Sequence, residues 1–432
     1  MRLDNPFSKR SVAAAAAAIA LVCSACSVTG AEQDSGSAGS GTGTINVLLM
    51  KQAGYTEEDV ADMVQSFEAE HSDIDVQTTM VSYEALHDKI VTSAAAGTYD
   101  VVLTDVIWPA EFVSKGLIED ITDRIPDKWY DDMFPGALKT AEYQGKYYGV
   151  PWGPSTKLFY YNNEMVRKVG ATPVDLQTWD GVLRVARKIK GAGLSKYPIA
   201  WSWSQAEALI CDYAQLLGAF GGEFTDDEGN LVINNDAGVK TLKWMKQTID
   251  DGLTNPASTT FLEDDVSKTM AQGDTAFSLN WQSTYRDLTD PKISTITDSA
   301  GVAATPKGPS GNRPGVNGTM ALSLTSTSQN QDAAWTFIEY ISSADVQENY
   351  VKSSMPNWKS SFEKEKVLDV NRPVFEAAKV AFDESILRPQ VVDYTGISTA
   401  LQVELQRALL GEKSPQDALD DAVAAAEEAK AS

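Results

Sequence analysis

Cysteine is scarce in this chain. Of three in 432 residues, Cys23 and Cys26 share one short stretch near the amino terminus, which leaves Cys211 alone in the rest. That excludes a disulfide framework and a cysteine-based metal site. Histidine is scarcer still: His71 and His87 are the only two, so a Ser-His-Asp site would have to recruit one of them. Basic charge is outweighed, with Lys+Arg 36 against Asp+Glu 60 and a net charge of −24. Such a balance argues against nucleic acid or an anionic lipid surface as the main partner and favours solubility. Internal repeats, which an adhesive or structural surface protein would show, are absent. The acidic run in FTDDEGNLVI (Phe224–Ile233) lacks the ligand spacing of an EF-hand loop and reads as a hairpin turning at Glu228-Gly229-Asn230. No metal and no cofactor is implied.

What is present is the composition of a globular protein, 43% hydrophobic and 22% charged, over a length that predicts two domains. Residues 1–25 read as a signal segment: Arg2, Lys9 and Arg10 are basic, and the apolar run Val12–Val22 is too short to span a bilayer comfortably. Ser24 and Ala25 stand immediately before Cys26, as cleavage ahead of a lipidated cysteine requires. The position three before Cys26 is Cys23 rather than the usual Leu, and an ordinary secretory signal is the other reading. Residues 26–43 then form a lipid anchor and a Gly/Ser-rich tether. The expectation is a surface protein held to the membrane by lipid at Cys26.

Thr44–Met50 reads as a buried strand. Thr56 then starts a helix, with Asp59 completing an approximate capping box, and Val60, Met63, Val64 and Phe67 follow at the spacing of one buried face. Ile74–Val81 is a strand, Tyr83–Ala96 a helix and Tyr99–Thr104 a strand. This strand-helix alternation predicts a parallel sheet covered by helices, with ligands collecting beyond the strands' carboxyl ends. DVIWPAEF (Asp105–Phe112) stands at one such end. Gly145–Pro154 (GKYYGVPWGP) is an irregular crossing segment and a candidate hinge. Further strands are expected at Leu158–Tyr161, Ile199–Trp203, Ala276–Trp281, Val302–Thr305 and Met320–Leu324. Helices are expected at Thr178–Lys190, Glu207–Phe220 and Asp332–Ser342, and two more close the chain on either side of Gly411.

Several of these stretches together resemble the extracellular solute-binding proteins of carbohydrate ABC importers, the maltose-binding-protein-like group. They are the tethered lipoprotein start, GKYYGVPWGPSTKLFYYNNEMVRKVG (Gly145–Gly170), QTWDGVLRVARKI (Gln177–Ile189), MAQGDTAFSLNW (Met270–Trp281), NGTMALSLTSTSQNQDAAWTFIEYISS (Asn317–Ser343) and LRPQVVDYTGISTALQVELQRALLGEKSPQDALDDA (Leu387–Ala422). DVIWPAEF is most similar to trehalose/maltose-type members. The resemblance spans Thr44 to Ala426. It implies an α/β, periplasmic-binding-protein-like fold of two lobes with a hinge and an inter-lobe cleft. The first lobe would take 44–152 plus 318–357, the second 153–317 plus 358–432.

A sugar presents hydroxyl edges and weakly apolar C–H faces, so its receptor needs aromatic platforms beside planar hydrogen-bonding groups. Candidates among the residues are Asp105, either a hydroxyl acceptor or a cap for the next helix, and Trp108, either a platform or a wall behind that helix. Trp152 is a platform candidate at the hinge. Trp201 and Trp203 would share a face on a strand, one of the two lining the cleft. The resemblance adds Gln52, Tyr83 and Glu84 after the first strands, and Trp281, where NWQS replaces the commoner NGPW. It also adds Asn317 and Gly318 at the second crossing, where glycine would let a ligand approach the backbone. Arg388 would either reach a hydroxyl or pair with an acid between lobes, and Tyr394 would be an aromatic contact. Trp129, Trp179, Trp244 and Trp335 have helical neighbours and read as core.

The function expected is capture of an oligosaccharide by a lipid-anchored monomer, delivery to ABC importer permease subunits, and a place on the extracellular face of the cell membrane of a Gram-positive cell. No catalytic residue is expected. The alternative is a secreted glycoside hydrolase, which needs two carboxylates flanking one bond; no stretch presents such a motif.

Overall fold

The computed structural model describes residues 41–51, 54–226 and 229–430. The expected signal segment, Cys26, most of the tether, Gln52 and Glu228 lie outside the described residues. Among those described, no helix is long and apolar enough to cross a membrane.

The protein is mixed α/β with two lobes, each built on its own sheet. The first sheet orders its strands Ile74–Val81, Gly43–Met50, Val101–Thr104, Ala321–Leu324 and Val150–Pro151. The first three run parallel, as the strand-helix alternation predicts, and the last two are antiparallel to their neighbours. The helices Glu57–Glu70, Tyr83–Ala94 and Gln331–Ser342 cover it. Thr56 and Asp59 do form a reciprocal cap: Asp59 N–H donates to Thr56 Oγ1 at 3.0 Å and Thr56 N–H to Asp59 Oδ2 at 2.8 Å. Val60, Met63 and Phe67 are buried beneath that helix.

The second sheet orders Ala300–Ala303, Lys157–Asn162, Phe277–Trp281 and Ile199–Ala200, antiparallel except for the last pair. The chain enters it after Trp152 and returns to the first sheet near Met320. The helices Trp179–Gly191, Glu207–Ala219, Asp236–Asp250, Tyr394–Leu409 and Pro415–Lys430 pack around one core there. Thr178 caps the first of them through Gly181 N–H, and Ser414 receives Asp417 N–H at the start of the last.

Three differences from the sequence reading have physical causes. The expected strand at Ile199–Trp203 stops at Ala200, because Trp201 N–H turns to the Ser258 hydroxyl and Trp203 N–H to the Ser258 carbonyl. The expected Val302–Thr305 strand is shifted to Ala300–Ala303, where it pairs with Phe159–Asn162. A helical stretch at Glu365–Asp383 was not legible. It kinks at Asn371 (φ −144°), two residues before Pro373, a residue that disfavours an unbroken helix.

Candidate functional site

The crossings are tied together by two amides. Gln282 Oε1 accepts from Ser155 Oγ at 3.0 Å and Thr156 N–H at 3.2 Å, while its Nε2 donates to the Pro154 carbonyl at 2.8 Å. Asn317, fully buried, donates from Nδ2 to the Gly136 carbonyl at 2.9 Å and accepts Thr319 N–H at 3.0 Å. Its backbone N–H reaches the Ile386 carbonyl, and Gly318 N–H reaches Ser155. Asn317 thus knits two crossings to the segment that precedes Arg388.

Four of the sequence candidates meet in one hydrogen-bonded cluster. Asp105, at the end of the Val101–Thr104 strand, accepts the Tyr83 hydroxyl on Oδ2 at 2.7 Å and Val106 N–H on Oδ1 at 2.7 Å. Arg388 Nη2 donates to both Asp105 oxygens at 3.1 Å, and its Nη1 donates to Glu207 Oε1 at 2.7 Å. The Tyr394 hydroxyl reaches the same Glu207 oxygen at 2.6 Å, and Ser398 donates to the other. Of the two roles weighed for Arg388, pairing with an acid is therefore present, twice over. The helix-cap role weighed for Asp105 is not: Trp108 holds the N-cap position of the Pro109–Ser114 helix, with no side-chain cap. Burial, and then the neighbouring Asp105 and Glu207 charges, push the Tyr83 phenol well above its ordinary range. Burial and Glu207 do the same to Tyr394. Burial works against the Arg388 charge, but Asp105 and Glu207 outweigh it.

Trp108 is buried and stacks on Tyr83, with ring centroids 5.8 Å apart. Behind it His87 packs on Trp108 and Phe112, and its Nε2 lies 3.0 Å from Glu111 Oε2. Burial tends to raise the Glu111 carboxyl, yet hydrogen bonds from His87 and Lys115 hold it at about 2.

A second group surrounds Trp281, at the end of its strand. Lys157 Nζ is fully buried 5.3 Å from the Trp281 ring centroid, bonded to Asp212 at 2.8 Å and Ser202 at 3.1 Å, and 3.3 Å from Glu263. Trp281 Nε1 donates to Glu263 at 3.2 Å. Gly318 closes on the ring's far edge: a Cβ there would lie 2.6 Å from Cη2 and Cζ3. The space left by this glycine is filled by Trp281.

A third group is Trp152, fully buried and packed against Tyr55 at a 34° tilt with ring centroids 4.6 Å apart, its backbone N–H bonded to the Met320 carbonyl. The Tyr55 phenol is buried beside Ser354, and burial raises its pKa. Among the described residues, Trp152 Nε1 and Arg388 Nε are buried donors without a hydrogen-bond partner, as are the core indoles of Trp179 and Trp203.

The remaining candidates stand apart. Trp201 and Trp203 are both fully buried and stack on each other at 4.9 Å, with Trp201 Nε1 donating to Thr254. Glu84 is exposed on the first turn of its helix. Trp129 and Trp179 are core, and Trp244 and Trp335 pack against it partly buried. Sequence reasoning missed Glu207, Lys157, Glu263 and Tyr55. Lys157 had one signal, a cation leading directly into the apolar run LFYY. Glu207 had none, because an acid in a helix's first turn is the ordinary choice.

Known proteins resemble this chain. It is 27% identical over 338 residues to a probable ABC transporter-binding protein of Deinococcus radiodurans, covering 76% of this chain and 79% of that one. Among solved structures it resembles maltose-bound MalE3 of T. maritima, at 28% identity with a TM-score of 0.81, over 90% of this chain and 99% of that one. It also resembles a Thermotoga lettingae ABC transporter solute-binding protein bound with α-D-tagatose, at 26% identity with a TM-score of 0.80, over 89% and 99%. The bacterial extracellular solute-binding protein family matches residues 49–348, so the chain belongs to that family and is a solute-binding protein rather than an enzyme.

Proposed function

We propose that the protein captures a sugar, most favourably an oligosaccharide, in a cleft between its two lobes and delivers it to the permease subunits of an ABC importer. Two similar proteins were solved with maltose and α-D-tagatose bound, which supports a carbohydrate as the solute. The observation that carries the reading is chemical. The Trp281 face lies against Lys157 with Glu263 on its indole N–H, and Trp108 stacks on Tyr83 beside the Asp105 carboxylate and the Arg388 guanidinium. Aromatic faces beside planar polar groups are what the C–H faces and hydroxyl edges of a sugar require. The contacts we assign are Tyr83, Asp105, Trp108, Trp152, Trp281, Arg388 and Tyr394, while Asn317 ties the crossings and Gly318, instead of admitting the sugar to the backbone, seats the Trp281 ring. Of the other candidates, Glu84 would touch the sugar from the rim, Gln52 lies outside the described residues, and Trp201 with Trp203 belongs to the second lobe's core. Closure would be hinge motion about the crossings that Gln282 and Asn317 tie, with lobe boundaries at 44–152 plus 318–357 and 153–317 plus 358–432.

Acylation of Cys26 would anchor the receptor as a monomer on the extracellular face of a Gram-positive membrane. The test is titration calorimetry with malto-, isomalto-, raffinose-, xylo- and manno-oligosaccharides beside mannitol and ribitol, followed by chromatography for products. Saturable heat with an oligosaccharide and no product supports the reading, whereas a response to polyols alone would replace the solute class. Trp152→Ala should weaken binding by about 1 kcal/mol or more, roughly fivefold. Unchanged affinity removes Trp152 from the site.

A further inference from the structure

Glu207 opens the 13-residue helix Glu207–Ala219 yet caps nothing: its carboxylate is spent on side chains from elsewhere. Three donors converge on it, Arg388 Nη1 and the Tyr394 hydroxyl on Oε1 and the Ser398 hydroxyl on Oε2. The helix belongs to the lobe of the second sheet, whereas Asp105 follows a strand of the first. Arg388 lies between them, its side chain 2% exposed against 3% for Asp105 and 11% for Glu207. One guanidinium therefore joins a carboxylate from each lobe, away from water.

The segment that carries Arg388 makes the same crossing. Leu387, Val391 and Tyr394 pack against the core of the first lobe. Gln390 Nε2 donates to the Val106 carbonyl at 2.9 Å, and the Thr395 hydroxyl reaches Glu111 at 3.3 Å. Yet the helix that follows, Tyr394–Leu409, packs in the second lobe's core through Ile397, Leu401 and Leu405. Residues 386–395 thus form a strap rooted in one lobe and laid on the other.

Arginine's guanidinium is a rigid fork, so fixing one nitrogen aims the others. Glu207 fixes Nη1, and Nη2 is then presented to both oxygens of Asp105. Two carboxylates on one cation leave an excess negative charge, which the hydroxyls of Tyr83, Tyr394 and Ser398 and the N–H of Val106 spread by hydrogen bonding. A buried three-charge group persists only when each member is paired and hydrogen-bonded, which is the arrangement present.

We propose that Glu207 is a positioning residue: it holds Arg388 and Tyr394 in register so that the strap clasps Asp105 across the lobes, and so that the same guanidinium is aimed at an entering sugar. Only the second half rests on the sugar reading above. The clasp itself follows from Glu207, Arg388 and Asp105 without it.

The test is amide hydrogen exchange of the sugar-free full chain, read by mass spectrometry for wild type, Glu207→Gln, Arg388→Met and the double variant. Loss of one charged hydrogen bond should make the peptides covering residues 105–112 and 386–394 exchange roughly tenfold faster in Glu207→Gln. The central strands Val101–Thr104 and Phe277–Trp281 should keep their protection. Because Glu207 acts through Arg388, the change should not be repeated on top of Arg388→Met. If exchange rises only in the Glu207–Ala219 helix, or rises equally in the Arg388→Met background, Glu207 merely stabilises its own helix and the proposal fails. Should Glu207→Gln not fold, Ser398→Ala removes one donor only; a smaller rise in the same two peptides supports the clasp, and none overturns it. A parallel titration uses maltotriose as probe. Weaker binding by Glu207→Gln than by wild type supports the aiming role, and equal binding refutes it. Absence of binding by wild type counts against the sugar reading, with the clasp still decided by exchange.

Discussion

Replacing Lys157 by methionine is the sharpest test of the polar groups inside the second lobe. The side chain is fully buried, and its ammonium bonds to Asp212 at 2.8 Å and to the Ser202 hydroxyl, with Glu263 3.3 Å away. Burial opposes that charge, but Asp212 and Glu263 outweigh it and hold the lysine's pKa above its ordinary value. Methionine keeps the length and most of the volume, so the cavity contribution is small. What is lost is the partner of Asp212, itself fully buried and left with one hydroxyl, Ser202 at 3.2 Å. Glu263 is a quarter exposed and can turn to water, so it adds little. Stranding a buried charge costs about 3–5 kcal/mol, which is the expected loss at neutral pH.

Guanidinium unfolding followed by both circular dichroism and tryptophan fluorescence measures it, coincident transitions licensing a free energy. Two corollaries follow from the same cause. Burial already holds the Asp212 carboxyl above its ordinary range, with Lys157 pulling it back. Without Lys157 the folded chain binds a proton there more tightly than the unfolded chain, so the deficit should shrink as pH falls from about 7 toward 5. The double variant Lys157→Met/Asp212→Asn should recover at least about 2 kcal/mol. A loss below about 1 kcal/mol, or one that the second substitution leaves undiminished, would refute the reasoning.

Gly318→Ala should displace the Trp281 indole, because the added methyl would lie 2.6 Å from its ring. A cost of about 1–3 kcal/mol and a changed near-ultraviolet dichroism are expected, and an unaltered spectrum would count against the packing. The hydrogen bond to Glu111 raises the His87 pKa against the opposing effect of burial. Protonated His87 therefore adds stability that is complete below about pH 6.5 and is lost as pH rises through the folded value. His87→Gln should flatten the fall in stability between about pH 6 and 8; an identical slope in both proteins would show that the pair contributes nothing. Thr56→Ala should cost about 1 kcal/mol through loss of the reciprocal cap on Asp59, visible in thermal unfolding of the full chain.

Local chemistry was legible wherever a residue's role depends on its own neighbours in sequence. The cap at Thr56, the helix opening at Thr178 and the buried stripe Val60–Met63–Phe67 all follow from spacing and propensity. The parallel half of the first sheet did too, because strand and helix alternate there. Trp201 and Trp203 show the limit. Alternation placed them on one face, but whether that face meets solvent or core depends on the Thr254 and Ser258 segment that folds over them.

Asp105 shows the same limit at the candidate site. From sequence it was an acid at a strand end, free to cap the next helix or to accept a hydroxyl. Tertiary structure brought Arg388 to it across 283 positions of chain and Tyr83 across 22, and so took it out of the cap. Glu207 could not be found at all beforehand, since the three donors that define it come from residues 388–398. The family, the alternating elements, the cap at Thr56 and the residue types able to meet a sugar were all readable before folding, because they depend on short-range pattern. Which acid shares which cation, and which tryptophan is covered, emerged with the folded lobes, because burial and pairing belong to segments that meet only then.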